Sequence, residues 1–267
     1  MKKMLVIAAL MIGLSVQAQS ADTNAPATPF APAAPFAYGS IEAPLLSSFY
    51  SRGRLFDNRE VFEPSLTVNK DMLAGTISVN AFGSLGLREP TSLGNSERYT
   101  ETDLTASYTK VFNSLSVSGG YIEYIYNGQT VPNSREVFTT LSLAKPTAFL
   151  LNPTISAYYD FGTADGFYLV AGVNHPFTIT KKISVVVDTS IGYGTSNYNK
   201  WYFGVDENRW NDWNSGLTLN YALTDKVTLI AGARYGIMVD EDIRQGAYDV
   251  FGAGEKWTAK LSALYSF

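Results

Sequence analysis

The chain has 267 residues, a formal net charge of −4, no cysteine, and 16% charged against 46% apolar residues. An acidic chain lacks the clustered Lys/Arg that phosphate backbones require, which argues against nucleic acid as a partner. Without cysteine it makes no disulfides and carries no lipidated cysteine.

In MKKMLVIAALMIGLSVQAQSAD, Lys2 and Lys3 precede an apolar run from Met4 to about Val16, and small residues follow. This is the layout of a secretory signal peptide over 1–18, with cleavage after Ala18 or Ser20. The apolar run is too short to span a membrane. Removing the two lysines takes the formal charge from −4 to −6. Residues 19–44 follow as a Pro/Ala-rich leader in which Pro26, Pro29, Pro32, Pro35 and Pro44 oppose regular helix or ladder pairing. The leader reads as a disordered periplasmic segment, with entry into a lumen or contact with a periplasmic partner as the alternative.

From residue 45 to 267 the apolar period is two. Val227, Leu229, Ala231, Ala233, Tyr235 and Ile237 fall on one face, with Thr228, Gly232, Arg234 and Gly236 on the other, along with Ile230. The polar faces are built of Ser, Thr, Gly and Asn with few charges, which suits a barrel interior better than a solvated sheet. Outside the signal peptide no apolar run reaches transmembrane-helix length, as expected when strands do the crossing. Twelve segments are expected, near 45–56, 60–69, 73–85, 101–111, 115–126, 135–144, 152–161, 166–175, 182–194, 211–222, 226–238 and 255–267. The predicted class is an all-β, transmembrane, antiparallel up-and-down barrel of about 12 strands, with 10 or 14 as the alternatives.

Links alternate between short (F-N-S, L-T-D-K) and long (LREPTSLGNSERY, TSNYNKWYFGVDENRWN, DEDIRQGAYDVFGAG), as in bacterial outer-membrane barrels. Two links break the rule by being short, DNR after the first segment and GTADG after the seventh. Glu123 falls on the outward parity, which implies a bulge or a different register there.

The last segment alternates Trp257, Ala259, Leu261, Ala263, Tyr265 and Phe267 against polar neighbours. A barrel in lipid must pair its last strand with its first, so the terminal residue belongs to the wall. This ending resembles the C-terminal signature of bacterial outer-membrane proteins. The resemblance implies that Tyr265 and Phe267 form an assembly signal read by the barrel assembly machinery. SFYSRGRLFDNREVFEPSLTV, Ser48–Val68, resembles the opening hairpin of the TorF-like putative porins, and Asn152–Val173 is similar in style. That family implies an outer-membrane porin and offers no established functional residues.

Strand parity points Arg52, Arg54, Glu63, Asp103, Glu136, Asp160, Asp188, Arg234 and Lys260 into the lumen, the less costly place for charge. Trp201, Trp210, Trp213 and Trp257 suit an interfacial girdle in contact with outer-membrane lipid. The aromatic loop holding Trp201 could instead stack sugars or fold inward. The single histidine, His175, makes a serine-hydrolase triad a poor reading. The acidic DEDIRQGAYD loop lacks the EF-hand spacing, and no phosphate loop or zinc set is present. No catalytic residue, cofactor or metal is expected. The expected function is passive diffusion of small polar solutes or ions. The alternative is a non-conducting structural or adhesive barrel binding a partner through its outer loops. Oligomeric state and solute are not legible.

Overall fold

A computed structural model describes residues 37–88, 99–126, 132–143 and 151–267. The predicted signal peptide (1–18) and the leader up to residue 36 lie outside the described residues.

The wall begins with β1 (Tyr38–Leu46), then β4 (Val61–Phe62) and β5 (Ser65–Met72), which are two parts of one strand. It continues through β6 (Gly75–Gly86), β7 (Tyr99–Phe112), β8 (Leu115–Tyr126), β9 (Ser134–Leu143), β10 (Asn152–Asp160), β11 (Gly166–Thr178) and β12 (Ile183–Gly194). It ends with β13 (Arg209–Ala222), β14 (Val227–Met238) and β15 (Glu255–Ser266). Each strand pairs antiparallel with the next, and β15 pairs back onto β1 from Ser40↔Ser266 to Leu46↔Lys260, closing a twelve-stranded barrel. At the seam Gly39 N–H donates to Phe267 O at 3.1 Å and Phe267 N–H donates to Gly39 O at 3.0 Å. The terminal residue is thus part of the ladder, which leaves no open edge to lipid.

Alternation decides which side of the wall each residue takes. On β13, Trp213, Leu217, Leu219 and Tyr221 are exposed on the outer surface while Asn214, Thr218 and Asn220 turn inward. On β15, Trp257, Leu261 and Tyr265 are outward and exposed. Such a continuous apolar exterior is solvated by lipid, not by water. Among the described residues no helix is long and apolar enough to cross a membrane; the strands cross it.

Among the described residues, the links at the rim where β1 begins and β15 ends are tight. They include Leu73–Ala74, both at positive φ, Asn113–Ser114, and 179–182 and 223–226. The opposite rim, here the loop rim, carries the long links, which include α1 (Ser196–Phe203) and α2 (Glu241–Phe251).

Three expectations change. The first wall strand starts at Tyr38, so the end of the expected leader is already barrel. Pro44 sits in that strand opposite Ser262, and its carbonyl accepts from Glu63 N–H at 3.0 Å. Second, the expected strand 45–56 is instead the end of β1 followed by a separate hairpin, β2 (Phe49–Ser51) and β3 (Arg54–Asp57). Arg52 and Gly53, at φ +46° and +75°, supply the tight turn that the alternation conceals. The link from β1 to β4 is therefore long, and one exception to the loop rule disappears. Third, β8 pairs continuously with β7 and β9, so Glu123 needs no bulge. It lies opposite Arg135 and pairs with it at 3.2 Å on the outer face near the loop rim.

Candidate functional site: the lumen and its hairpin

The hairpin leaves the wall between β1 and β4 and folds into the barrel. Its tip meets the far side: the Arg52 guanidinium lies 4.1 Å above the Tyr158 ring on β10 and 4.6 Å above the Tyr168 ring on β11. β10 is the seventh of twelve strands around the ring, diametrically opposite β1. The hairpin thus crosses the whole lumen.

Arg52 is anchored there by a bidentate pair with Glu136 of β9, Nη1 to Oε1 at 2.9 Å and Nη2 to Oε2 at 3.1 Å. Tyr124 O–H also donates to Glu136 Oε2 at 2.9 Å. Both charged groups are buried, where a planar fork on a carboxylate is strong and geometrically specific. Gly53 packs so closely on Met238 of β14 that a Cβ would overlap the thioether. Arg54 is fully buried with its guanidinium 4.3 Å above the Tyr202 ring. Arg59 closes the hairpin exit, donating from Nη2 to Asp57 Oδ2 at 2.5 Å.

The two helices cap this hairpin. Asp240 accepts from the N–H groups of Asp242 and Ile243 at 3.0 and 3.2 Å and so starts α2; Glu241 and Asp242 complement its N-terminal dipole. The acidic DED run is therefore a helix start. Among the described residues no group of three or more metal-binding side chains converges. Ile243, Ala247 and Phe251 recur every four residues and bury one stripe of α2. Gly246 lies against the Phe203 carbonyl of α1 with no room for a Cβ. In α1, Tyr198 and Tyr202 point inward, with Tyr198 stacked on Tyr168 at 5.3 Å. Tyr202 O–H donates to Asp160 Oδ2 at 2.5 Å. Phe49, Phe56, Phe82, Phe203 and Phe251 complete an aromatic core inside the loop-rim half of the barrel. Outside the membrane-spanning strands, hydrogen bonds from the Lys200 ammonium and the Ser196 hydroxyl hold the Asp206 carboxyl below its ordinary pKa.

The other half of the lumen is different. Its inward positions are small and polar: Thr109 meets Ser118 at 2.8 Å, Thr140 meets Ser156 at 2.8 Å, and Asn220 donates to Ser184 at 3.4 Å. Most remain partly exposed, among them Thr109, Thr140, Thr218 and Asn220. The barrel is thus a polar, water-accessible vestibule at the terminal rim that ends against a packed hairpin and two helices.

The charged candidates distribute across this plan. Arg234 and Asp188 pair at 2.5 Å on neighbouring regions of β14 and β12, and Lys260 pairs with Glu42 of β1 at 2.6 Å. Asp160, Glu136 and Asp103 are buried on the inward faces of β10, β9 and β7, and Glu63 is buried at the break between β4 and β5. Arg52 and Arg54 are corrected: they belong to the crossing hairpin, not to the wall. Trp210, Trp213 and Trp257 are exposed on the outer face near the loop rim, whereas Trp201 sits on α1 above the wall. Tyr265 is exposed on the outer wall beside Phe267 at the terminal rim, ring centroids 6.3 Å apart. His175 lies within β11 opposite Val187, edge-on to Phe177 at 4.5 Å.

Sequence reasoning passed over Glu101, Tyr124, Tyr158, Tyr168 and Asp212. The three wall tyrosines and Asp212 stand on or beside inward positions. Their role shows only when the hairpin and α1 arrive from elsewhere in the chain. Asp212 accepts from Tyr168 O–H at 2.8 Å and Asn214 Nδ2 at 2.6 Å. A register shift between Ile191 and Tyr193 turns the start of β13 so that Asn211 and Asp212 are both buried.

No family model matches the chain, and no curated protein matches it. Solved structures do. The chain is similar to the KdgM porin in complex with disordered oligogalacturonate: 12% identity, 86% of this chain and 99% of that one, TM-score 0.50. It is similar to the NanC porin at 12% identity, 86% and 100% coverage, TM-score 0.53. It is also similar to an outer-membrane channel from Pseudomonas putida F1 at 13% identity, 86% and 95% coverage, TM-score 0.53. The fold is that of outer-membrane channels.

Proposed function

We propose that the protein is a bacterial outer-membrane channel that passes small polar solutes or ions by diffusion, with the β2–β3 hairpin as its constriction. The observation that carries this reading is the polar, water-accessible half-lumen that runs up to the hairpin. A wall of hydroxyls and amides exchanges hydrogen bonds with a passing solute at little cost. In this reading the predicted signal peptide takes the chain across the inner membrane, and Tyr265 and Phe267 are read by the assembly machinery. The terminal rim then faces the periplasm and the loop rim faces outward. The resemblance to TorF-like porins rests on the Ser48–Val68 and Asn152–Val173 residues, and no family model matches. The reading assigns the protein no catalytic role.

A second reading is favoured by the packed aromatic core: a non-conducting barrel whose outer helices or leader bind a partner. Liposome swelling with graded neutral sugars separates the two. Swelling by small sugars that fades with solute size supports a pore. Liposomes holding folded barrel that never swell support the closed reading.

A further inference from the structure

Among the described residues, four cations of the lumen already have their own carboxylates. Arg52 holds Glu136, Arg59 holds Asp57, Arg234 holds Asp188 and Lys260 holds Glu42. Asp160 and Asp212 are satisfied by hydroxyl, amide and backbone donors. Three carboxylates remain: Glu63, Glu101 and Asp103.

These three form one patch. On β6–β7 the register sets Glu101 opposite Ser84 and Asp103 opposite Phe82. Glu63 lies at the next strand's break, between Phe62, which pairs with Leu85, and Ser65, which pairs with Phe82. The patch therefore covers three adjacent strands at one level, beside the crossing hairpin. Each residue is at least nine-tenths buried. Glu63 Oε1, Glu101 Oε1 and both Asp103 oxygens meet no hydrogen-bond donor, and Glu101 and Asp103 lie within hydrogen-bonding reach of each other. Arg54 rides over Tyr202, and its Nε and Nη1 make no hydrogen bond, while Lys256 donates to Asn58 Oδ1 at 2.5 Å. Unpaired buried carboxylates are costly unless positive charge answers them, and a low-dielectric wall strengthens their field. They do not converge as a chelating group. That suits a charge in transit better than a resident metal.

Resting on the channel reading above, we infer that the passage selects cations, inorganic or organic, and that Glu63, Glu101 and Asp103 set the preference. A ring or patch of acidic side chains at a constriction raises the local cation concentration and repels anions. The carboxylates of the patch outweigh the cations around them, because Arg52, Arg59, Arg234 and Lys260 are neutralised locally, Arg54 is turned onto an aromatic face and Lys256 is held at Asn58.

The test is the reversal potential of the refolded protein in a planar bilayer under an asymmetric potassium chloride gradient. Folding is verified first by heat-modifiable gel mobility. The expected result is a several-fold preference for potassium over chloride in the wild type. The combined variant E63Q/E101Q/D103N is expected to lose it, and Asp103→Asn alone to lose part. If the combined variant does not fold, the single variant decides. A conducting wild type with no preference, or with chloride preferred, overturns the inference and leaves the channel reading intact. An unchanged preference in the folded variants overturns the assignment to these residues. A folded wild type that never conducts overturns both.

Discussion

Arg52 and Glu136, 84 positions apart in the chain, meet across the full width of the barrel in a buried two-point ion pair. The pair joins the tip of a hairpin that left the wall at β1 to the opposite side of the lumen. Removing one partner leaves the other charge buried and unanswered, at a cost of about 3–5 kcal/mol. Glu136→Gln and Arg52→Met should therefore each lower the unfolding midpoint in urea in a lipid bilayer. The double variant R52M/E136M should lose less than either single change, because neither charge is stranded. A double variant whose loss equals the sum of the singles would show that the two do not act as a unit.

Gly53 tests the same contact by shape. Its φ of +75° disfavours any side chain, and a Cβ would collide with Met238. Gly53→Val should unseat the hairpin tip while leaving the wall closed. The expected signature is a folded, heat-modifiable barrel whose hairpin is cut faster by protease than in the wild type. Equal cutting rates would mean that the tip does not seat on Met238.

Gly246 plays the corresponding part between the helices, since it lets α2 approach the end of α1. Gly246→Val should separate them and release Tyr198 and Tyr202 from the lumen. Intrinsic tyrosine and tryptophan fluorescence near the loop rim would report the change, and an unaltered spectrum would argue against the packing described.

The wall makes a paired prediction. Leu217 is outward and exposed to lipid, and its neighbour Thr218 is inward. Leu217→Arg should cost about 2–4 kcal/mol of stability if it lies near the midplane. Thr218→Arg should cost far less, because the lumen at that level is wet. Equal costs would contradict the inward–outward assignment of β13.

At the seam, Phe267 contributes both a backbone donor and a backbone acceptor to Gly39. Deleting it removes the last rung of the closing ladder, and folding yield into bilayers should fall sharply. A deletion that folds as well as the wild type would remove Phe267 from any assembly role.

Much of this was legible from the chain because a strand's period of two survives any tertiary context. Segments such as 226–238 and 255–267 coincide with β14 and β15 to within a residue or so. The hairpin was not legible, because Phe49, Tyr50, Leu55 and Phe56 keep the stretch apolar on both sides of the Arg52–Gly53 turn. Reading that stretch as wall put Arg52 and Arg54 into a single wall strand instead of the inserted hairpin. α2 did carry a signal: a capping Asp240, acidic residues in the first turn, Ile243–Ala247–Phe251 at helical spacing, and Gly252 after the end. Gly246 in its middle, and the expectation of an irregular loop, hid it. Nothing local could show that Tyr168 on β11 and Tyr198 on α1 would stack inside the barrel, since that contact depends on how far the loop folds inward.

The central claim is that this barrel conducts and that the anchored hairpin limits how much. The most direct measurement is single-channel conductance of wild type and Glu136→Gln in planar bilayers. The account predicts small, reproducible open steps in the wild type and larger steps, or more frequent opening, once the anchor is broken. Folded barrels that stay silent in both forms would contradict it.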